Sequence, residues 1–207
     1  RRRFSECSMY AWQGFYVAVV LGLIAPVLIP VYRWAIPQFG HAHAVADQEL
    51  RYMCIVIFSV GMTLGGMTFA NFFNGIHRTR VSMWAQIEGV IINALVGYIL
   101  IFGHLGFPAM GIEGAAWGTI AGTSYIMIRL GLTMSLGRFG REFDSLNNWR
   151  LKPAKLMNII RAGLPQGVQM VSDVVVWMVF ISILIGRYFS TADLQATNIA
   201  WQYMRIA

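Results

Sequence analysis

The sequence has few charged residues and almost no cysteine. Charged residues make up 12% of the 207 positions, whereas soluble domains carry roughly 25%. The only cysteines are Cys7 and Cys54, so the sequence indicates neither a disulfide framework nor a cysteine metal cluster. Hydrophobic residues reach 57%, and the mean hydropathy is +0.58. This composition predicts an all-α integral membrane protein, in which about five or six helices of about 20 residues each would span the bilayer.

Motifs of enzyme chemistry are also missing. The sequence contains no His-Glu-x-x-His, no Gly-rich phosphate loop and no Ser, His and Asp set. Glycines at close spacing occur near residue 114, but they lack the preceding strand that a dinucleotide site requires. The sequence therefore predicts neither an enzyme nor an organic cofactor.

Long apolar runs divide the chain into predicted membrane spans. They cover residues 11–32, 52–76, 82–102, 114–136 and 162–185, and a sixth begins at 194–207. Pro26 and Pro30 are expected to bend the first span, and residues 34–50 are expected to form a loop. The chain starts without Met and stops inside an apolar run, so we expect an internal piece of a longer protein.

Lys and Arg fall on alternate sides of these spans. Residues 1–8, the loop at 77–80 and the polar segment 137–161 hold eleven of the sixteen, whereas the alternate loops hold only Arg187. Loops rich in Lys and Arg stay in the cytoplasm. The net charge of +7 therefore reflects membrane topology, and we expect no nucleic-acid partner. Segment 137–161 is predicted to be a cytoplasmic linker between two parts of the chain.

One acid, Asp173, interrupts the fifth predicted span. An Asp at the centre of a spanning helix costs roughly 2.5–3.5 kcal/mol, and such a residue usually faces protein or water and marks a functional site. Helical spacing places it on one face with two amides and two aromatic rings: Gln166, Gln169, Trp177 and Phe180. This face could hold a cation by charge and by cation–π attraction. The alternative is a structural acid that pairs with a neighbouring helix.

Other polar and small residues interrupt the earlier spans. Glu88 either carries a proton or an ion, or it pairs with an Arg near the membrane surface. Asn71 and Asn74 share a face near the end of the second span, where they bond across helices or cap it. Stripes of small and amide residues typical of close helix packing run along the third and fourth spans: Gln86, Gly89, Asn93 and Gly97, then Gly114, Gly118 and Gly122. Asn93 could also line a central cavity.

Short motifs spread over nearly the whole chain form a specific pattern. They are GIHRTR at 75–80, Asn93, LIFG at 100–103, GFPAMGIEGAA at 106–116, GLP at 163–165, Asp173 and ATNIA at 196–200. In order and spacing these motifs resemble the multidrug and toxic compound extrusion (MATE) family. The resemblance implies a twelve-helix transporter with two six-helix lobes around a central cavity. Residues 1–136 would supply helices three to six of the N-terminal lobe, and residues 162–207 helix seven and the start of helix eight.

The resemblance also implies a function. Members of the family export organic cations and drugs in exchange for sodium ions or protons, by alternating access. An acid in the seventh helix belongs to the cation site in one branch of the family, and Asp173 falls at that position, where Glu is common; Na⁺ is one ion that it could hold. The proton-linked Asp of another branch corresponds to Gly97 here. We expect a monomer in the inner membrane of a bacterium.

Three alternatives remain open from the sequence. The first is a lipid-linked oligosaccharide flippase of the same superfamily, whose cavities typically contain several basic residues. The second is a membrane-embedded enzyme with catalytic residues elsewhere. The third is a structural or receptor protein, which would leave Asp173 unexplained.

Overall fold

The chain folds into α-helices in a computed structural model, which describes residues 2–35, 43–143, 145 and 149–179. In chain order the helices are α1 (Arg2–Ile24), α2 (Ile29–Ala35), α3 (His43–Val56), α4 (Ser59–Gly75), α5 (Thr79–Phe102), α6 (Ile112–Ser135), α7 (Gly137–Glu142) and α8 (Pro153–Val179). A short 3-10 helix, Ala25–Leu28, joins α1 to α2. These ranges contain no strand, and the predicted all-α fold class is confirmed.

Two described stretches are long and apolar enough to cross a membrane, namely Glu6–Trp34 and Thr79–Phe102. The bent pair Asp47–Val56 and Ser59–Gly75 adds a third if it counts as one span. The membrane crossing of α6 and α8 stays a prediction, and the predicted start of a sixth span at 194–207 lies outside the described residues.

The chain divides into two compact units, Arg1–Leu156 and Met157–Ala207. The first unit holds α1 to α7 together with the first turn of α8. The second unit holds the rest of α8. The predicted assignment of residues 1–136, 137–161 and 162–207 to two lobes and a linker stays a prediction.

The helix at the first predicted span starts earlier than the sequence indicates. Helix α1 begins at Arg2 instead of residue 11, and the helix type changes at Ala25–Leu28, where Pro26 has no N–H to donate. The predicted loop at 34–50 is wrong at both ends, because α2 ends at Ala35 and α3 begins at His43. Residues 36–42 lie outside the described part.

The second predicted span is broken into α3 and α4, which meet at a bend of 48°. The hydroxyl of Ser59 donates to the carbonyl of Val56 at 2.7 Å, and the N–H of Val60 donates to Ile57 instead. In a continuous α-helix the Val56 carbonyl would accept from Val60. The serine side chain thus competes with the helical hydrogen-bond ladder, and the prediction of one unbroken span is wrong.

The glycine stripes of the third and fourth predicted spans face each other. A methyl group added at Gly118 would lie 2.8 Å from the Cα atom of Gly97, and one at Gly122 would lie 2.7 Å from the carbonyl oxygen of Gly89. Only the absence of side chains lets the α5 and α6 backbones approach this closely. The predicted packing role is confirmed for the glycines of both stripes.

Helix α4 also packs against α1 through a glycine pair. A methyl group at Gly22 would lie 2.5 Å from the Cα atom of Gly61. Further along the same interface the rings of Phe15 and Phe69 stack with their centroids 5.2 Å apart. Phe69 belongs to a buried core that α6 completes with Leu130. Helices α1, α4, α5 and α6 therefore form one packed body.

The predicted linker at 137–161 contains helical structure at both ends. Helix α7 occupies Gly137–Glu142, and α8 begins at Pro153, nine residues before the predicted start of the fifth span at residue 162, which stays a prediction. Proline is favoured in the first turn of a helix because its fixed φ suits the helix and its missing N–H would have no partner there. Residues 180–185 of that predicted span lie outside the described part.

Candidate functional site

The second unit carries the predicted cation-binding face on α8. Gln166, Gln169 and Asp173 all lie in this helix at spacings of three and four residues, so they share one face, and all three side chains are exposed. Trp177 lies in the same helix, but its side chain and the whole of Phe180 are outside the described residues. None of the ion pairs found among the described residues involves Asp173.

Glu88 lies between α5 and α6 within the first unit. Its carboxylate accepts a hydrogen bond from the hydroxyl of Tyr125 at 2.8 Å and forms an ion pair with Arg129 at 3.5 Å. Arg129 also donates to the hydroxyl of Thr133, one turn further along α6, at 2.7 Å. The geometry therefore shows the pairing of Glu88 with an arginine that one interpretation predicts. Arg129 compensates the negative charge of the Glu88 carboxylate.

A double-mutant cycle should detect this pair. Glu88→Gln and Arg129→Gln are each expected to lower the thermal midpoint of unfolding, because each leaves one charge unpaired between α5 and α6. The double variant should lose less stability than the sum of the two single losses, by roughly 0.5–1 kcal/mol for a pair of partial exposure. Unfolding of detergent-solubilised protein measures all four forms. Strictly additive losses would mean that the two side chains do not interact.

Asn93 takes part in the contact of α5 with α6. A methyl group at Gly122 would lie 2.8 Å from the Cβ atom of Asn93, and one at Gly118 would lie 2.9 Å from its carbonyl oxygen. Asn93 does not line the pocket that opens between α4, α5 and α6. A ligand-binding role for Asn93 stays a prediction.

An uncharged pocket of about 400 Å³ with both apolar and polar walls opens between α4, α5 and α6. Its walls carry amides, hydroxyls and thioethers and include no ionisable side chain; the lining residues are Met62, Thr63, Gly66, Met67, Ala70, Asn71, Asn74, Gln86, Thr123 and Ile126. Asn74 is held in place because its side-chain oxygen accepts a hydrogen bond from Ser82 across the helix interface at 2.6 Å. This volume lies in the range of sites for drug-sized molecules, roughly 300–1,000 Å³.

The sequence pointed to only part of this pocket. It indicated Asn71 and Asn74 as residues that bond across helices or cap α4, and Gln86 as a member of a packing stripe. The cross-helix bond of Asn74 is confirmed, whereas Gln86 lines the pocket. The sequence shows amide side chains inside apolar runs. It does not show that these amides line one pocket, because that depends on how three helices pack.

Comparisons with known proteins agree with the fold. The MatE family model matches residues 1–99. Over 204 residues the chain is 28% identical to a probable multidrug resistance protein NorM of Rhizobium meliloti, covering 94% of this chain and 41% of that protein. It is 30% identical over 114 residues to the multidrug resistance protein PmpM of Pseudomonas aeruginosa, covering 55% of this chain and 24% of that protein.

A solved structure also resembles the chain. It is described as the inward-facing conformation of a multidrug resistance MATE family transporter of the MOP superfamily, and it matches with a TM-score of 0.62 and 15% identity. The match covers 78% of this chain and 42% of that one. The chain thus spans about two fifths of the length of the relatives that it matches over most of its own length.

Proposed function

The chain belongs to the multidrug and toxic compound extrusion (MATE) family, and from this premise we propose that it works in a cation-coupled antiporter. The antiporter would export organic cations across the membrane in exchange for sodium ions or protons. The observation that carries this proposal is the pocket between α4, α5 and α6, which is uncharged, combines apolar with polar walls and is large enough for a drug-sized molecule.

The chemistry of the pocket suits large cations of low charge density. Amide oxygens can solvate such a cation, and the flexible thioethers of Met62 and Met67 can adapt to different apolar shapes. Adaptable methionine-rich surfaces are typical of promiscuous binding sites. The pocket therefore supports a broad range of substrates.

Two acids lie inside apolar helices, and Asp173 is the better ligand for a cation. Glu88 already interacts with Arg129 and Tyr125, so a bound cation would have to compete with an arginine. Asp173 has no such partner among the described ion pairs. One carboxylate cannot easily hold two cations, so we propose that the coupling ion and the drug alternate at Asp173. Gln166 and Gln169 would add amide oxygens on the same face.

The same pocket argues against a lipid-linked oligosaccharide flippase. The pyrophosphate of such a substrate needs Lys or Arg for charge compensation, and neither is among the residues that line the pocket. Within the described part, the charges between α5 and α6 form a compensated pair at Glu88 and Arg129. The antiporter thus remains the better-supported function.

The direct test is the accumulation of a fluorescent organic cation in cells that lack their own efflux pumps. Cells that express the full-length protein should accumulate less dye than cells with the empty vector. Measurements at two sodium concentrations and two pH values then identify the driving ion, because only the coupled gradient should change the export rate. Equal accumulation in both strains, with expression verified by immunoblot, would contradict the proposed function.

Gln86→Leu should weaken drug binding without stopping transport. The substitution removes one amide from the pocket wall and keeps the volume of the side chain nearly constant. The loss of one hydrogen bond should raise KM for dye export by about fivefold and leave the maximal rate unchanged. Gln48→Leu, on the exposed surface of α3 and outside the pocket, is the matched control. Equal KM values for both variants would exclude Gln86 from substrate binding.

A further inference from the structure

A row of side chains on α1 holds the segment that leads from α7 to α8. We call these four residues, Ser8, Trp12, Gln13 and Tyr16, the α1 clamp. Each donates a hydrogen bond to a main-chain carbonyl of that segment: Ser8 to Phe143 at 2.8 Å, Trp12 to Ser145 at 3.0 Å, Gln13 to Arg150 at 3.0 Å and Tyr16 to Trp149. Ser8, Trp12 and Tyr16 follow each other at four residues and Gln13 adjoins Trp12, so all four lie on neighbouring faces of α1.

Gln13 is the centre of the α1 clamp. Its amide nitrogen donates to the carbonyl of Arg150, and its amide oxygen accepts from the N–H of Lys152 at 3.1 Å. One side chain thus satisfies a donor and an acceptor of the same main-chain segment. The Gln13 side chain is fully buried, so neither bond competes with bulk water.

The contacts of α1 continue onto the first turn of α8, which belongs to the same compact unit. Lys155 lies 4.8 Å above the ring of Tyr10 and forms an ion pair with Glu6 at 3.4 Å. The last main-chain bond of the α1 clamp, at Lys152, directly precedes Pro153, where α8 begins. Helix α1 therefore fixes the point at which the chain enters the helix that carries Asp173.

From these contacts we propose that α1 anchors the linker and that Gln13 is a positioning residue for transport. It makes the start of α8 move together with α1. Side chains of α1 supply the donors for the main-chain carbonyls of four described residues between α7 and α8: Phe143, Ser145, Trp149 and Arg150. The consequence for transport rests on the proposed antiporter function, whereas the anchoring itself does not.

Limited proteolysis tests the anchoring directly. Trypsin can cleave after Arg150, and it leaves the Lys152–Pro153 bond intact. In detergent-solubilised full-length protein, Gln13→Ala should speed cleavage after Arg150 by about tenfold, because cleavage follows the population of the opened segment. Gln48→Ala on the exposed surface of α3 is the matched control and should cleave at the wild-type rate. Unchanged cleavage in Gln13→Ala would overturn the proposal.

A second variant covers the case in which Gln13→Ala fails to fold. Tyr16→Phe keeps the ring and removes only the hydroxyl that bonds to the carbonyl of Trp149. Cleavage after Arg150 should then rise by about threefold, as expected for the loss of one hydrogen bond. Size-exclusion chromatography verifies that each variant stays monodisperse. Wild-type protection in Tyr16→Phe, together with an unfolded Gln13→Ala, would also overturn the proposal.

Dye export separates a positioning role from a purely structural one. Gln13→Ala should lower the maximal export rate by about fivefold at unchanged KM, because Gln13 is not part of the pocket wall. Faster cleavage with unchanged export would overturn the positioning role. If the wild-type protein itself exports no dye, the proposed antiporter function fails, and the cleavage rates alone decide whether α1 anchors the linker.

Discussion

Asp173→Asn is expected to abolish cation-driven dye export, with a fall of about tenfold or more in the export rate. The amide keeps the size and the hydrogen-bonding oxygen of the side chain but removes the negative charge, which is the only formal charge between residues 162 and 179. Without that charge the coupling ion loses its ligand, and a loss of about 1.4 kcal/mol already means a tenfold weaker interaction. Accumulation of a fluorescent cation at two sodium concentrations and two pH values measures the effect.

Two control variants make this prediction specific. Asp173→Glu keeps the charge on a longer side chain and should retain most of the export. Asp47→Asn removes an exposed acid that pairs with Arg51 on α3 at 3.0 Å, and it should leave export unchanged. Full export by Asp173→Asn at wild-type expression would remove Asp173 from the mechanism. Loss of export in Asp47→Asn would instead indicate that transport is sensitive to the removal of any carboxylate.

Gly118→Ala is expected to destabilise the first unit strongly. The added methyl group would lie within 2.9 Å of three backbone atoms of Asn93 and Gly97, so the whole of α5 would have to move away from α6. Overpacking of this kind costs roughly 1–3 kcal/mol. It should exceed the gain of about 1 kcal/mol that alanine brings to a helix interior. The thermal midpoint of the detergent-solubilised protein should therefore fall.

Gly75→Ala is the matched control, because a methyl group there meets no atom within 4 Å at the end of α4. Its thermal midpoint should equal or slightly exceed that of the wild type. If Gly118→Ala unfolds at the wild-type temperature, the α5–α6 contact is looser than the structure indicates.

The helices themselves could be predicted because apolar runs of about 20 residues have few other solutions in a membrane. Helix α5 begins at Thr79, three residues before the predicted start at residue 82 and inside the predicted basic loop at 77–80. The break between α3 and α4, where the Ser59 hydroxyl bonds to the Val56 carbonyl, was missed because residues 53–76 contain no proline or charged residue to mark it. The early start of α8 was missed because residues 153–161 are too polar to indicate a membrane span.

The sequence by itself determined the membrane character, the all-α fold and the glycine stripes of α5 and α6, because these follow from local composition and from helical periodicity. It also singled out Asp173 and Glu88, since a charge inside an apolar run is visible without a structure. Only the tertiary structure decided which residues these groups meet. The pocket combines three helices, Glu88 meets Tyr125 from 37 residues away, and Gln13 binds a segment 137 residues away. Such contacts depend on how helices pack, which the order of residues along one helix does not specify.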